Sequence, residues 1–413
     1  MEKSRKPDIN LQDYEQIKET DVLVIGNGPP ACGVALHLKA QGVQFSVVGP
    51  GKPMSNWERV TEGQDMGDFR SPVHHFISDP RRKTETPLSW PNFRTKDITP
   101  DNRMRLPVLN AFHSDLIRTA GIHAHARDGW VDLVGVRDDG TFDVFWHNTR
   151  GERNRQTAQS VVMSPGIGRP FIPDIPGVKD PRVSHSDALD LKNSPWGTWR
   201  NQRVLVVGAG QSGFTIADGL QKRGANVILT SRSKPHVHPL DFHPEYFQGR
   251  KLEQFRAKSL EARTDELRAA HRRGRVHPHV YEQVMLAKNA QLRENTPVEK
   301  LIANHSDVEA PGIGRFDRIV FCTGYRMDFA GLPWTSQIVK GSKLSGGLPA
   351  VSPANLQIEG LPNAYAIGRL GSLGAGPASS NYGMIDENAR LVAFDIARKG
   401  ILAELKGKLE AML

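Results

Sequence analysis

The chain has 413 residues, 38% hydrophobic and 24% charged, a composition that supports a well-packed soluble protein and a length that suggests two or three domains. Its formal charge of +9 is mixed with acids along the chain and comes with no basic arm, recognition-helix motif or RNA-binding signature, so we read it as a surface attractive to anionic cofactors or substrates, not to nucleic acid. No apolar run approaches the roughly 20 residues that span a bilayer, and no apolar core follows the charged N-terminus, so neither a membrane span nor secretion is expected and a cytoplasmic location is.

After a polar lead-in over residues 1–20, an aliphatic run at 22–25 predicts a strand, the sequence VLVIGNGPPACG carries it into a glycine turn, and a helix over about 30–40 and a second strand at 45–48 complete the start of a βαβ unit. Residues 49–104 are rich in Pro, Gly, His and Arg and show little periodicity, the mark of a functional loop region. A helix is expected over 108–120 and strands at 131–136, 142–146 and 160–163, the last ending in Pro165 and Gly166. The proline-punctuated GRPFIPDIPGVKD reads as a linker. A second glycine turn, VLVVGAGQSG, opens another βαβ unit over about 203–231. A charged helix follows over 251–273, with Leu252, Phe255, Leu260 and Leu267 as its sparse apolar face. Strands at 318–322 and 364–367 and a helix over 384–399 finish the chain. Leu402, Leu405, Leu409 and Leu413 recur at helical spacing near its end and read as a helix capping the first domain, with a contact in a homo-oligomer as the alternative. The fold expected is α/β with two Rossmann-like domains, the second inserted in the first: 1–170, 171–310 and 311–413.

The two turns imply two dinucleotides. In the first, Gly26 permits the tight turn, Gly28 lets backbone approach a pyrophosphate, and Ala31 is the small residue that allows close helix packing; Gly208, Gly210 and Gly213 repeat the pattern. In both, the following helix is expected to aim its N-terminal amides at the pyrophosphate. The end of each second strand separates NAD from NADP. Arg232 follows the strand at 227–230, with Lys234 close by, where a guanidinium would pair with a 2′-phosphate, so NADPH is expected over NADH; an exposed surface arginine is the blander reading. In the first half Gly49, Pro50 and Gly51 stand where an acid is usual, leaving Lys52 and Trp57 as the nearest groups for an adenosine. The only two cysteines, Cys32 and Cys322, form no C-x-x-C, so electrons cannot pass to a thiol pair. His236, His238 and His243, and the adjacent His74 and His75, lack the partners of a zinc motif, and no metal is expected. Trp57, Arg70 and His74 line either a cofactor pocket or merely a packed loop. No GxSxG elbow follows a strand.

The order of these motifs, GxGPxxA with Pro29 as its proline, a proline-rich linker ending at His185 and Ser186, VVGAGQSG, Arg232, and FDRIVFCTGY, resembles the class B flavoprotein monooxygenases over residues 20–400. Within them, GKPMSNWERVTEGQDMGDFRS at 51–71 resembles a bacterial subgroup related to the amine N-hydroxylases. The resemblance implies FAD on the first domain and NADPH on the second, hydride transfer to flavin N5, and capture of O2 as a C4a-(hydro)peroxide that oxygenates a small-molecule substrate. N-hydroxylation is favoured over S-oxidation or Baeyer-Villiger oxidation, and no catalytic side chain is assigned. It also implies that Gln211 and Ser212 contact the pyrophosphate region of the nicotinamide nucleotide, helix capping being the other reading. Thr323, Gly324 and Tyr325 match an ATGY box with Cys322 in the alanine's place, expected to form a hinge and a nucleotide contact. Ser164, Pro165 and Gly166 stand where ATG is usual, and Gly368 would approach the flavin ribityl and pyrophosphate, with Arg369 where an acid is common. A reductase or peroxide-forming oxidase of the same fold, and a non-catalytic nucleotide-binding protein, are the alternatives.

Overall fold

Aliphatic and β-branched runs too short and too uniformly apolar for surface strands dictate buried parallel strands at the centre of two sheets. The computed structural model describes residues 10–195, 197–271 and 274–410, without the side chains of residues 407 and 409; residues 1–9 of the polar lead-in, the expected helix end at Arg273, the Leu409 side chain and Leu413 lie outside the described residues. A short strand Glu15–Gln16 (β1) precedes Thr20–Ile25 (β2), the helix Pro29–Ala40 (α1) and Phe45–Gly49 (β3). The irregular region contains the helix Ser55–Gly63 (α2) and ends in Leu106–Thr119 (α3). Ala126–Asp128 (β4), Trp130–Val136 (β5), Phe142–His147 (β6) and Arg153–Met163 (β7) follow. The eight-stranded sheet runs β4–β3–β2–β7–β6–β5, with β1 and a late return strand also on β7. The long β7 serves two layers: residues 153–158 pair antiparallel with β6, and its C-terminal half pairs parallel with β2 from Ser160 opposite Val22 to Met163 opposite Ile25.

The second sheet is a five-stranded parallel one. It is built from Val183–His185 (β8), Arg203–Val207 (β9), the helix Gln211–Lys222 (α4) and Asn226–Thr230 (β10). The helices Arg250–Arg256 (α5), Leu260–His271 (α6) and Pro278–Leu286 (α7), then the strands Ala290–Arg293 (β11) and Arg318–Phe321 (β12), follow. Its order is β8–β12–β9–β10–β11. The chain re-enters the first sheet only at Ala364–Ala366 (β13), beside β7, and closes with Tyr382–Glu410 (α8).

Three expectations are corrected here. The boundary at 310 is too early, because β12 pairs with β9 in the second sheet, Val204 opposite Arg318 through Val207 opposite Phe321; its apolar run suits either sheet, so periodicity alone cannot place it. The helix expected over 251–273 is two helices, with Ser259 Oγ accepting from Ala262 N at 3.2 Å to start the second. Phe255, Leu260 and Leu267 are buried in the same core cluster as β2 and α1, so this pair packs on the first unit although it lies within the second unit's stretch of chain. Finally, α8 covers the first unit only as far as Ile396: Leu402 and Leu405 stay 54% and 57% exposed instead of capping it. Among the described residues no helix is long and apolar enough to cross a membrane.

The α8 anchor is a polar knot. The Asp395 carboxylate accepts from Tyr365 Oη at 2.8 Å, Asn355 Nδ2 at 3.0 Å and Arg398 at 3.0 Å, and pairs with Lys399 at 2.9 Å, while its side chain is 7% exposed. Burial opposes ionisation, but hydrogen bonds from Lys399, Tyr365 and Arg398 outweigh it and hold the Asp395 carboxyl below the usual carboxylate range. Asp395→Ala is expected to lower stability by about 2–3 kcal/mol at pH 7 by leaving these donors without an acceptor. Because the folded-state pKa is depressed, that contribution is present above the ordinary pKa of about 4 and is lost as pH falls through the lower folded value. Urea melts should therefore show a smaller difference between wild type and variant at pH 3 than at pH 7.

Candidate dinucleotide sites and the interdomain cleft

Both glycine turns sit at the C-terminal edge of their sheets, where open α/β sheets bind ligands. Gly26 has φ +110°, and a Cβ there would lie 2.1 Å from Ser164 O; Gly208 has φ +113°, and a Cβ on Gly213 would lie 1.8 Å from Gly208 O. Gly28 and Gly210 are the residues before α1 and α4, and neither helix start carries a side-chain cap. The two starts are not equivalent. Gln211, Ser212 and Gly213 leave three amides at α4, whereas Pro29 and Pro30 remove the first two donors of α1, so Ala31 N is its first amide with a hydrogen. At α1 the expected N-terminal amides therefore begin only at Ala31.

The acid missing after Val48 has a steric cause. A Cβ at Gly49 would lie 2.8 Å from Asn27 N and 2.9 Å from Asn27 Cβ, so no side chain fits. The buried Asn27, which the motif treats as a spacer, donates its amide to Pro50 O at 2.6 Å, Lys52 O at 3.1 Å and Gly51 O at 3.2 Å, folding 49–52 against the first turn. The Asp128 carboxylate, at the end of β4, accepts from Gly51 N at 2.6 Å on the other side of that loop. Lys52 is exposed at its edge, but Trp57 is not available to an adenosine. Its Nε1 donates to Asn110 Oδ1 at 3.0 Å and its ring packs on Tyr382 and Phe69 at centroid distances of 5.2 and 6.4 Å, which fixes α2 to α3 and α8. Gly368, at φ +66°, brings the end of β13 beside α1, where its Cβ would be 3.1 Å from Pro30. The neighbouring Arg369 has its pKa lowered by burial and pairs with no carboxylate among the described residues.

In the second unit Gln211 caps nothing. Its Oε1 accepts from His277 N at 2.9 Å and its Nε2 donates to Thr215 Oγ1 at 3.3 Å, so it ties the second turn to the start of α7. Ser212 is half-buried, and Arg232 and Lys234 are exposed beyond β10. The segment Thr323, Gly324 and Tyr325 lies where the chain passes between the units a second time: Arg169–Pro170 and Tyr325–Arg326 pair antiparallel. Phe171 N donates to Gly324 O at 2.9 Å, Thr323 Oγ1 donates to Phe171 O, and Tyr325 Oη donates to Asp187 Oδ1 at 2.9 Å. Both side chains of this box and the Gly324 carbonyl are engaged by protein, and Gly324 is its one exposed residue.

Between the units lies a cleft of about 810 Å³ whose walls include Gln211, His277, Arg70, Arg103, Asp68 and Asp101. The strand pair Asp68–Pro72 and Arg103–Arg105 brings the two arginines together from the irregular region. His277 Nδ1 accepts from His279 N, so Nε2 carries the proton it directs at Asp101 Oδ2, 3.0 Å away; burial first, and then Arg103, press the His277 pKa down to about 4. Burial works against the Asp101 carboxylate, but hydrogen bonds from Arg103 and Thr99 hold it down to about 2. The histidines at 74, 75, 236, 238 and 243 do not converge: His74 and His75 stack edge-on at 4.5 Å, His236 and His238 lie 6.0 Å apart, and among the described residues no group of three His, Cys, Asp or Glu is arranged around a metal position.

The family model described as pyridine nucleotide-disulphide oxidoreductase matches residues 20–368, from β2 to the glycine after β13. The chain belongs to the pyridine nucleotide-disulphide oxidoreductase family. Among curated proteins it is similar to thioredoxin reductase SEP1 of Emiliania huxleyi, 24% identical over 226 residues, which span 52% of this chain and about two fifths (42%) of that relative. Among solved structures it resembles the ornithine N-hydroxylase KtzI of Kutzneria sp. 744, crystallised with reduced FAD, NADP+ and L-ornithine (TM-score 0.74, 17% identity, 93% of this chain and 100% of that one). It also resembles the reduced form of ornithine hydroxylase PvdA of Pseudomonas aeruginosa (TM-score 0.73, 17% identity, 92% and 99%). These likenesses establish the two-domain flavoprotein fold. This oxidoreductase lacks the disulphide half of its family's name: Cys32 and Cys322 are unpaired and buried, and burial pushes both thiols up to about 12.

Proposed function

We propose that this oxidoreductase is an FAD-dependent, NADPH-consuming monooxygenase that places one oxygen atom of O2 on a small-molecule substrate, with N-hydroxylation of an amine as its preferred reaction. The observation that carries this reading is the pairing of two dinucleotide turns, in units joined by two adjacent passes of chain, with no thiol able to act as electron acceptor, so reducing equivalents brought by the second nucleotide have only a bound flavin and a diffusible oxidant to reach. The solved structures it resembles include two named as ornithine hydroxylases, which favours nitrogen as the oxygenated atom.

The residues present fit both cofactors. Two helix starts free of side-chain caps lie at sheet edges, Gly28 opens on nothing within 4 Å, and the first turn is bounded by Gly368. FAD held there supplies hydride acceptance and oxygen activation. Gly26, Gly28, Ala31 and Gly368 would hold its pyrophosphate, with Lys52 beside the adenosine. Gly208, Gly210, Ser212 and Gly213 would hold the nicotinamide nucleotide, Gln211 would fix the turn through His277, and Arg232 and Lys234 would take its 2′-phosphate. An amine nucleophile held in the cleft between the units requires positioning more than a dedicated acid or base.

Arg232→Ala is expected to raise KM for NADPH at least tenfold and to leave NADH-driven turnover unchanged, because one charge-assisted fork to a phosphate is worth about 1.5–3 kcal/mol. Parallel steady-state kinetics with the two nucleotides check it. The proposal as a whole is tested by recording the visible spectrum during anaerobic NADPH addition and then admitting oxygen. Bleaching followed by a long-lived absorbing species distinct from oxidised flavin, with NADPH loss coupled to product once amines are supplied, supports it. Peroxide release in every condition, or a protein that takes up no FAD, overturns it.

A further inference from the structure

The hydrogen-bond accounting of the interdomain cleft does not close. Arg70 is 13% exposed and Arg103 4% exposed. Arg70 Nη1 pairs with Asp241 at 2.6 Å, but its Nε and Nη2 are buried with no hydrogen-bond partner, and so is Arg103 Nη2. The carboxylates within reach are already engaged. Asp101 takes Arg103 Nε at 2.8 Å, Thr99 Oγ1 at 2.6 Å and His277 at 3.0 Å, and Asp68 takes Arg105 at 3.3 Å with Arg103 Nη2 standing off at 3.8 Å. Burial lowers the Arg70 pKa, the Asp241 carboxylate works against that, and nearby Arg275 and Arg103 lower it further.

The orphaned atoms are not scattered. Nε and Nη2 form one edge of the guanidinium, the edge that takes both oxygens of a carboxylate side-on. In three other arginines of this chain that edge is filled by a carboxylate: Arg182 on Asp180 at 2.9 and 2.8 Å, Arg390 on Glu387 at 2.8 and 2.6 Å, Arg81 on Asp79 at 2.9 and 2.5 Å. At Arg70 it is buried and unpartnered, on a residue that lines the cleft. Unsatisfied buried N–H groups on a charged side chain cost several kcal/mol, so a fold that retains them at a cavity wall is arranged for a partner that arrives from outside.

We infer that the substrate carries an anionic group, a carboxylate or a phosphate, which seats on the free edge of Arg70 with Arg103 Nη2 as a further donor. This rests on the monooxygenase reading for the word substrate, and it makes Arg70 a specificity-determining residue. Asp241 fixes the guanidinium from its opposite side, and the Asp101 carboxylate between Arg103 and His277 keeps the second donor in place. The same anionic chemistry could come from the nicotinamide nucleotide, whose turn contributes Gln211 to the same cleft.

The test is calorimetric titration of the FAD-loaded full chain with two probes, succinate and inorganic phosphate, with and without saturating NADP+, for wild type, Arg70→Gln and Arg70→Lys. FAD content of each variant is checked first. The expected result is that wild type binds at least one probe in the presence of NADP+, that R70Q weakens it at least tenfold, that R70K, which keeps charge but not the fork, falls between, and that NADP+ affinity changes less than twofold. No binding of either probe to wild type, or equal binding to R70Q, overturns the inference. If NADP+ displaces the probe and R70Q weakens NADP+ by the same factor, the anion belongs to the nucleotide and the substrate assignment is wrong. No step involves turnover, so the monooxygenase reading stands or falls separately on the flavin spectrum.

Discussion

A Gly213→Ala protein is expected to retain FAD at wild-type stoichiometry and to be no longer reduced by NADPH. The residue is the third glycine of the second turn, and a methyl group there would stand 1.8 Å from Gly208 O, inside the backbone of the turn itself, where no side-chain rotation relieves it. Gly208 has φ +113° and its own Cβ would press on Cys322 O at 2.5 Å, so the turn cannot shift toward β12 to make room. The α4 start must then tilt away from the sheet, and its three free amides leave the position they need for a pyrophosphate. An NADP+ dissociation constant raised about a hundredfold, or about 3 kcal/mol, is the expected scale. Equilibrium titration followed by flavin fluorescence measures it, and an unchanged constant would mean that nucleotide does not bind at this turn.

Gly26→Ala is expected to give the complementary phenotype, a protein purified without its yellow colour. Here the intruding methyl meets Ser164 O at 2.1 Å, while Ser164 N donates to Ile25 O at 2.8 Å, so the end of β2 is pinned to the end of β7 and cannot yield. The residue also sits at φ +110°, a conformation that alanine rarely adopts. Flavin occupancy should fall more than tenfold, and the melting temperature should drop by several degrees, in line with a loss of about 3 kcal/mol or more. Absorbance ratios and a thermal melt with added FAD decide between two causes. If excess FAD restores both, the turn still forms and the substitution acts on affinity alone. If a colourful, wild-type-like protein results without additions, the first site has been misplaced.

Most of the frame was legible because it rests on local rules. The glycine turns declare themselves by spacing, and β2, β3, β9 and β10 by runs of Val, Leu and Ile that only a doubly covered sheet accommodates. What local rules cannot give is which sheet a strand joins. Arg318–Phe321 has the composition of either, and only its register with Val204 and Val207 assigns it to the second. The break at Ser259 was hidden because the residues on both sides form helix equally well, and the decisive term is how Phe255 and Leu260 pack on the first unit. The site shows the same division. Asn27 has no role in the glycine pattern, yet its backbone and Cβ crowd Gly49 and its three hydrogen bonds hold 50–52 against the turn. Asn-bearing turns are a recognisable signal for such closure. Arg70 stood out only as one of three loop residues with two readings, and Arg103, Asp241 and His277 had no signal of that kind. They meet through a strand pair inside a region without periodicity and through the packing of two units, neither of which a linear pattern encodes.

The placement of α5 and α6 has a consequence for how the molecule comes apart. Two adjacent passes of chain between the units would, by themselves, let the inserted unit unfold alone while the first sheet persisted. Instead, residues encoded in the middle of the insert complete the core of the host, with Phe255 fully buried among residues of the first unit. Unravelling the insert strips that core, and loosening the host releases the helices. The two halves are therefore thermodynamically interlocked, and a lesion in either lowers the melting point of both, so an intermediate with one intact nucleotide-binding half would not accumulate.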